Sequence, residues 1–134
     1  MMENTLASAN KSTEKPTILV VDDTPENLLL ISDLLRKLYK VKVVNNGPRA
    51  LSIAQADPQP DLILLDIMMP GMDGYEACQQ LKSNPATQNI PVVFLTARTE
   101  EDEKGLELGA VGYLTKPVKS ALLMEVLKTH LAPH

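Results

Sequence analysis

The stretch Asp61 to Gly74, DLILLDIMMPGMDG, decides how the rest of the chain is read. Four apolar residues, Leu62 to Leu65, are bounded by acids and followed by a Pro70-Gly71 turn. A short apolar run between turn signals predicts a strand buried on both faces, delivering Asp66 at its C-terminal end. Taken alone, Asp66 has two open readings. It is a turn cap, the usual task of a loop aspartate, or an acid brought to the edge of the core for chemistry.

Working outward, the same strand pattern recurs. Thr17 to Val21 (TILVV) is β-branched and apolar, and ends in the acidic pair Asp22-Asp23. Thr24-Pro25-Glu26 starts a helix, with a hydroxyl N-cap, Pro at the first helical position and an acid in the first turn. Leu28, Ile31, Leu35 and Leu38 follow at spacings of three and four, an amphipathic stripe. Val41 to Val44 is a second strand, and Asn46-Gly47-Pro48 opens a helix whose Ala50, Leu51 and Ala54 permit close packing. Pro58 and Pro60 break the chain before the third strand.

Beyond it, Asp73 and Glu76 have the form of a capping box for a helix through Leu81. Asn84 to Pro91 is a loop, and Val92 to Leu95 a fourth strand ending at Thr96. Thr99 is expected to cap the next helix, with Glu100 to Glu103 as a solvated, dipole-matched first turn. Gly109 closes it as a left-handed C-cap. Gly112 to Leu114 is the last strand and Lys116-Pro117 a turn. Ser120 to Leu131 is a final helix with Leu122, Leu123, Val126 and Leu127 inside. His130 reads as a dipole partner in its last turn. Residues 1–16 are polar and aperiodic, a disordered leader; residues 17–131 are the folded domain, and 132–134 a tail.

Five strands alternating with five helices over short connections imply an α/β fold, a doubly wound five-stranded parallel sheet. The 134 residues suffice for one core, which is aliphatic because the chain has one Phe, three Tyr and no Trp. A net charge of −4 and the lack of a basic cluster argue against binding nucleic acid or an anionic membrane. The single cysteine, Cys78, excludes an internal disulfide and a cysteine metal site. It reads as a small core residue rather than a nucleophile. The apolar runs are too short to span a bilayer, and a cytoplasmic location is the simplest expectation.

In doubly wound sheets, ligands bind outside the carboxyl ends of the strands. The residues predicted there are Asp22, Asp23, Asp66, Thr96 and Lys116. Two carboxylates ~4 Å apart repel by about 4 kcal/mol at an effective dielectric of 20, so the trio calls for a cation. All donors are oxygen, which selects a hard ion; few protein carboxylates suit Mg²⁺ (or Mn²⁺) better than Ca²⁺. Three aspartates, a divalent ion and Lys116 sum to zero charge, and an acyl phosphate on Asp66 would add about −1. Such a site accepts a phosphoryl group at little electrostatic penalty, and Thr96 offers a hydroxyl to its oxygens.

The four pieces ILVVDD, LLDIMMPGMDG, VVFLTA and GYLTKP, in that order, resemble a bacterial two-component response regulator receiver domain (CheY-like, flavodoxin-like fold) from Pro16 to about Leu131. The resemblance implies the strand order 2-1-3-4-5 and a cis Lys116-Pro117 peptide. It implies Asp66 as phosphoacceptor, with Mg²⁺ held by the Asp22-Asp23 pair, Asp66 and the backbone carbonyl of Met68. Thr96 and Tyr113 would be the paired switch residues, and Lys116 the phosphate-contacting lysine. The donor would be a sensor histidine kinase, a histidine phosphotransfer protein or a small phosphodonor such as acetyl phosphate. The output would be a changed face on the fourth helix, fifth strand and fifth helix, shown to a downstream protein or a fused output domain.

On this reading the chain is a monomer or weak homodimer. It catalyses its own phosphorylation and dephosphorylation but does not turn over an external substrate. TPENLLLISDLL further resembles receivers fused to cyclic-di-GMP-metabolising domains. A haloacid-dehalogenase-type phosphatase is the rival; it would need a second Asp two residues after the nucleophile, where this chain has Met68. A scaffold receiver that is never phosphorylated would normally lack an acceptor or the lysine, both present here. Tyr113 also has a plain reading, an exposed edge aromatic without a switching role.

Overall fold

The computed structural model describes residues 15–97 and 103–131. Ten elements alternate along them. They are β1 (Thr17–Val21), α1 (Pro25–Leu35), β2 (Lys40–Val44), α2 (Gly47–Gln55), β3 (Leu62–Asp66), α3 (Gly74–Ser83), β4 (Val92–Thr96), α4 (Glu103–Glu107), β5 (Gly112–Thr115) and α5 (Ser120–His130). The strands form one sheet in the order β2-β1-β3-β4-β5, every pair parallel. This is the doubly wound fold, with β3 in the middle between β1 and β4.

β1, β3 and β4 are buried along their whole length because helices cover both faces. Alternate side chains therefore feed two cores. Leu19, Val21, Ile63, Leu65, Val92 and Phe94 pack against the small faces of α2 and α3, including Ala50, Ala54, Ala77 and Cys78. Ile18, Val20, Leu62, Leu64, Val93 and Leu95 pack against Ile31 and Leu35 of α1 and Leu123 and Leu127 of α5. Each such side chain contributes ~1.5–3 kcal/mol on burial. Burial also pushes the Cys78 thiol above its ordinary value, in keeping with a core residue.

Two helix expectations need correction. α1 ends at Leu35, so Leu38 lies beyond the helical stripe and is 58% exposed. Leu122 is also outside the core, 52% exposed, while Leu123 and Leu127 are buried and Val126 partly so. At one turn's spacing the buried seam of α5 runs through Leu123 and Leu127 alone. Thr24 occupies the N-cap position of α1, but its side chain makes no capping bond. Two side-chain caps do form, the expected one at Asp73 and one at Asn46. Asn46 accepts from the Arg49 N–H at 2.9 Å and Asp73 from the Glu76 N–H at 2.9 Å.

The turn after α4 is closed by Gly109, at φ +106°. Its N–H donates to the Leu106 carbonyl, and that of Ala110 to the Gly105 carbonyl, the two bonds of a Schellman ending. The expected cap at Thr99 and the acids Glu100 to Asp102 lie outside the described residues, as do residues 1–14 of the expected leader and the 132–134 tail. Pro16, at that leader's end, accepts the Lys40 N–H at 2.9 Å and so joins the sheet.

Candidate functional site

Asp22 follows directly from β1 and Asp66 ends β3, so the two central strands deliver them side by side at the carboxyl edge. Both are buried, at 0% and 2% exposure, whereas Asp23 is exposed. Each buried carboxylate is oriented by its own turn. Asp22 Oδ1 accepts the Thr24 N–H at 2.9 Å, and Asp66 Oδ1 accepts the Met68 N–H at 3.3 Å. These are Asx-type contacts two residues ahead. The turn-capping reading of Asp66 is therefore true, and it is not an alternative to the other: the cap is what aims the carboxyl.

The backbone around them is fixed from several sides. Asp22 N–H donates to the Val44 carbonyl, and Ile67 N–H to the Leu95 carbonyl, both at 3.2 Å. Gly74 N–H donates to the Ile67 carbonyl at 2.8 Å, pulling the start of α3 against the end of β3. A Cβ at Gly74 would collide with the Asp66 carbonyl oxygen and stand 2.8 Å from Ile67 Cα. Only glycine lets the two segments approach this closely. The Lys116–Pro117 peptide is cis, and Lys116 N–H donates to the Thr96 carbonyl at 2.7 Å, setting the lysine beside the end of β4.

From there Lys116 Nζ reaches Asp66 Oδ1 and Asp22 Oδ2, each at 3.0 Å. Asn27, one turn into α1, donates to Asp22 Oδ2 at 3.3 Å. Oxygens of Asp22, Asp23 and Asp66 all lie within 4.8 Å of one another. Two buried acids thus share one lysine, with the exposed Asp23 beside them. Asp66 is pushed up from 3.8 to about 6, first by burial and then by the Asp22 charge, which together outweigh the pull of Lys116 and the Met68 N–H. Burial alone would lower Lys116; its hydrogen bonds to Asp66 and Asp22 and their charges overcome this and raise it. An all-oxygen donor set short of positive charge fits a hard divalent cation.

Thr96 is buried at the end of β4. It lines a cleft of about 270 Å³ with Ile67, Met68, Tyr75 and Ala97. Met68, which also lines this cleft, is 75% exposed and lies outside the core. Tyr113 is half-buried against the α2–α3 core, two positions before Thr115, the register partner of Thr96. On this edge strand Tyr113 is thus partly buried rather than fully exposed. The structure therefore gathers Asp22, Asp23, Asp66 and Lys116 into one constellation, with Thr96 and Tyr113 on the flank towards β5. Sequence reasoning missed Asn27, which follows Asp22 by five residues in DDTPEN, and Gly74, whose only signal is its place after the capping aspartate. Tyr75 at the cleft was also missed.

Comparisons with known proteins bear on the fold and the family. Residues 18–128 match the response regulator receiver domain. A probable cyclic di-GMP phosphodiesterase of Vibrio cholerae is 48% identical over 117 residues, which are 86% of this chain and 26% of that protein. The chain spans about a quarter of the length of the curated relatives it first matches. A putative response regulator from Chloroflexus aurantiacus superposes with a TM-score of 0.84 at 32% identity, covering 90% of this chain and all of that one. The receiver domain of sensor histidine kinase PA1611 from Pseudomonas aeruginosa superposes with a TM-score of 0.80 at 33% identity, covering 89% and 99%; that structure holds a magnesium ion in its active-site cleft. Fold, strand order and family match converge: this chain belongs to the response regulator receiver family of two-component signalling systems.

Proposed function

We propose that this domain accepts a phosphoryl group on Asp66 and converts it into a changed surface on its α4–β5–α5 face. The observation that carries the reading is Lys116 Nζ held 3.0 Å from both Asp22 and Asp66, with Asp23 in the same cluster. Asp66 Oδ1 is taken by Lys116 and the Met68 N–H. Oδ2 takes neither, and it is the oxygen to form the new O–P bond. The P–N bond of a phosphohistidine, or the P–O bond of acetyl phosphate, breaks as that bond forms. The leaving imidazole or acetate takes the bonding electron pair.

Asp22, Asp23, Asp66 and the Met68 backbone carbonyl are the groups that would hold Mg²⁺ (or Mn²⁺). When bound, the ion supplies charge neutralisation for the transferring phosphoryl oxygens. Lys116 stays against the modified Asp66 and balances part of its added charge. The Thr96 hydroxyl turns toward the new oxygens, and Tyr113 moves into the space that Thr96 leaves. A full two-state switch, from about 1:99 to 99:1, needs about 5.5 kcal/mol of differential stabilisation.

The donor is a histidine kinase or histidine phosphotransfer protein, and the receiver of the signal is a downstream protein or fused output domain. Similarity to a probable cyclic di-GMP phosphodiesterase supports an output in cyclic-di-GMP metabolism. No described helix is long and apolar enough to cross a membrane, and we place the domain in the cytoplasm as a monomer or weak homodimer. Incubation with acetyl phosphate and Mg²⁺, read by intact mass, is expected to add one phosphoryl group. EDTA should block the addition. An unchanged mass beside a labelled control receiver would refute the reading.

A further inference from the structure

Tyr75 stands where three parts of the molecule meet. It lines the cleft beside Asp66 together with Ile67, Met68 and Thr96. Its ring meets Phe94 edge-on, with centroids 5.5 Å apart at an interplanar angle of 68°. Lys104 of α4 places its Nζ over the same ring, 4.7 Å from the centroid. A cation this close to an aromatic face is attracted by the ring quadrupole. Phe94 in turn is the register partner of Tyr113 across β4 and β5. One ring therefore touches the cleft, the strand that carries Thr96, and α4.

The described part of α4 is largely exposed. Glu103, Lys104, Leu106 and Glu107 are exposed; Gly105 is buried, and Leu108 just beyond is partly buried against the core. We propose that the Lys104–Tyr75 contact is a positioning clamp that ties α4 to the wall of the Asp66 cleft and favours the unphosphorylated arrangement. This rests on the phosphoacceptor reading given above. A contact made in one of two states biases the population toward that state by its own strength. For an exposed cation–aromatic pair the bias is about two- to fivefold. The clamp needs a ring at position 75 and a positive charge at position 104, and nothing more specific.

The test titrates the full chain with beryllofluoride, a phosphoryl mimic, in Mg²⁺, and follows amide NMR shifts at Thr96 and Tyr113. Lys104→Gln should reach half-saturation at about threefold lower beryllofluoride, by the strength of such a pair. Lys104→Arg should match the unsubstituted chain. In a Tyr75→Leu background, Lys104→Gln should change nothing further. The Lys104 side-chain methylene protons should be shifted upfield by the ring current and lose that shift in Tyr75→Leu. Lys104 is exposed, so its two variants fold and decide the matter even if Tyr75→Leu does not. A Lys104→Gln midpoint equal to that of the unsubstituted chain, or a Lys104→Arg midpoint equal to that of Lys104→Gln, overturns the clamp. An unsubstituted chain that ignores beryllofluoride while its Lys104 protons are ring-shifted overturns the phosphoacceptor reading, and the switching role of the contact with it.

Discussion

The two halves of the site are built differently. At the centre, Asp22 and Asp66 end buried strands, are aimed by their own turns and are bridged by one lysine at 3.0 Å from each. On the flank, Tyr113 is only half-buried, β5 has one buried residue, Leu114, and the described turn of α4 buries only Gly105. The centre is buried and closely bonded, and the flank is less buried. A domain that must hold a reactive group in fixed geometry, and also report on it, benefits from this separation. On the proposed reading, the phosphoacceptor centre is held firmly while the flank stays near a balance that a new charge can tip.

The glycines offer the sharpest way to break that contrast. Gly74→Ala puts a Cβ into the Asp66 carbonyl oxygen at the rigid centre. It should cost about 3 kcal/mol or more in chemical denaturation and abolish phosphorylation. Gly112→Ala, in β5, meets nothing within 4 Å and should change stability by less than about 0.5 kcal/mol. Comparable losses at the two positions would mean that the flank is as tightly fixed as the centre.

Next in size is Lys116→Met, which keeps an apolar stem but leaves Asp22 and Asp66 without their bridging cation. Removing one partner of a buried pair costs ~3–5 kcal/mol, reduced here to about 2–3 because Lys116 is 22% exposed. Much of the loss should return at pH 5, where a carboxyl can protonate, and with added Mg²⁺ at pH 7.5. A loss independent of both would place the lysine's contribution in packing rather than charge.

Asp66→Asn works in the opposite direction. The folded pKa of Asp66, about 6, lies above its ordinary 3.8, so the folded chain binds this proton more tightly than the unfolded one. The group's favourable contribution is complete below about pH 4 and lost as pH rises through about 6. Replacing it with a neutral isostere should therefore stabilise the metal-free domain at pH 7.5 by about 1–2 kcal/mol, with a smaller gain at pH 5. Denaturation at the two pH values checks both sign and trend. The smallest effect is expected at Tyr113→Leu, under about 1 kcal/mol in stability. The shift changes that beryllofluoride induces on the flank should nevertheless shrink markedly while those at Asp66 persist.

Much of the architecture was legible because its signals are local. The runs TILVV, LILL and VVFL are too short and too apolar for anything but covered strands, and Asn46, Asp73 and Gly109 act within four residues of themselves. Where local periodicity was pushed too far it failed. Leu38 continues the spacing of α1 past the end of the helix, and Leu122 sits one residue off the buried seam of α5.

The acids of the site were legible for a topological reason: a parallel sheet brings every strand's end to one edge. What the sequence could not disclose are contacts set by distance in space. The collision that forbids a side chain at Gly74 involves a strand end eight residues earlier, and the meeting of Tyr75 with Lys104 spans a strand and two helices. That one oxygen of Asp66, Oδ1, meets both its own turn and the distant Lys116 is likewise visible only in three dimensions.

The most direct test of the account is chemical trapping at the site itself. After acetyl phosphate and Mg²⁺, borohydride reduction converts an aspartyl phosphate to homoserine, which peptide mass mapping locates. Homoserine is expected at position 66 alone, and none in Asp66→Asn. Homoserine at Asp22 or Asp23, or none anywhere beside a labelled control receiver, would contradict it.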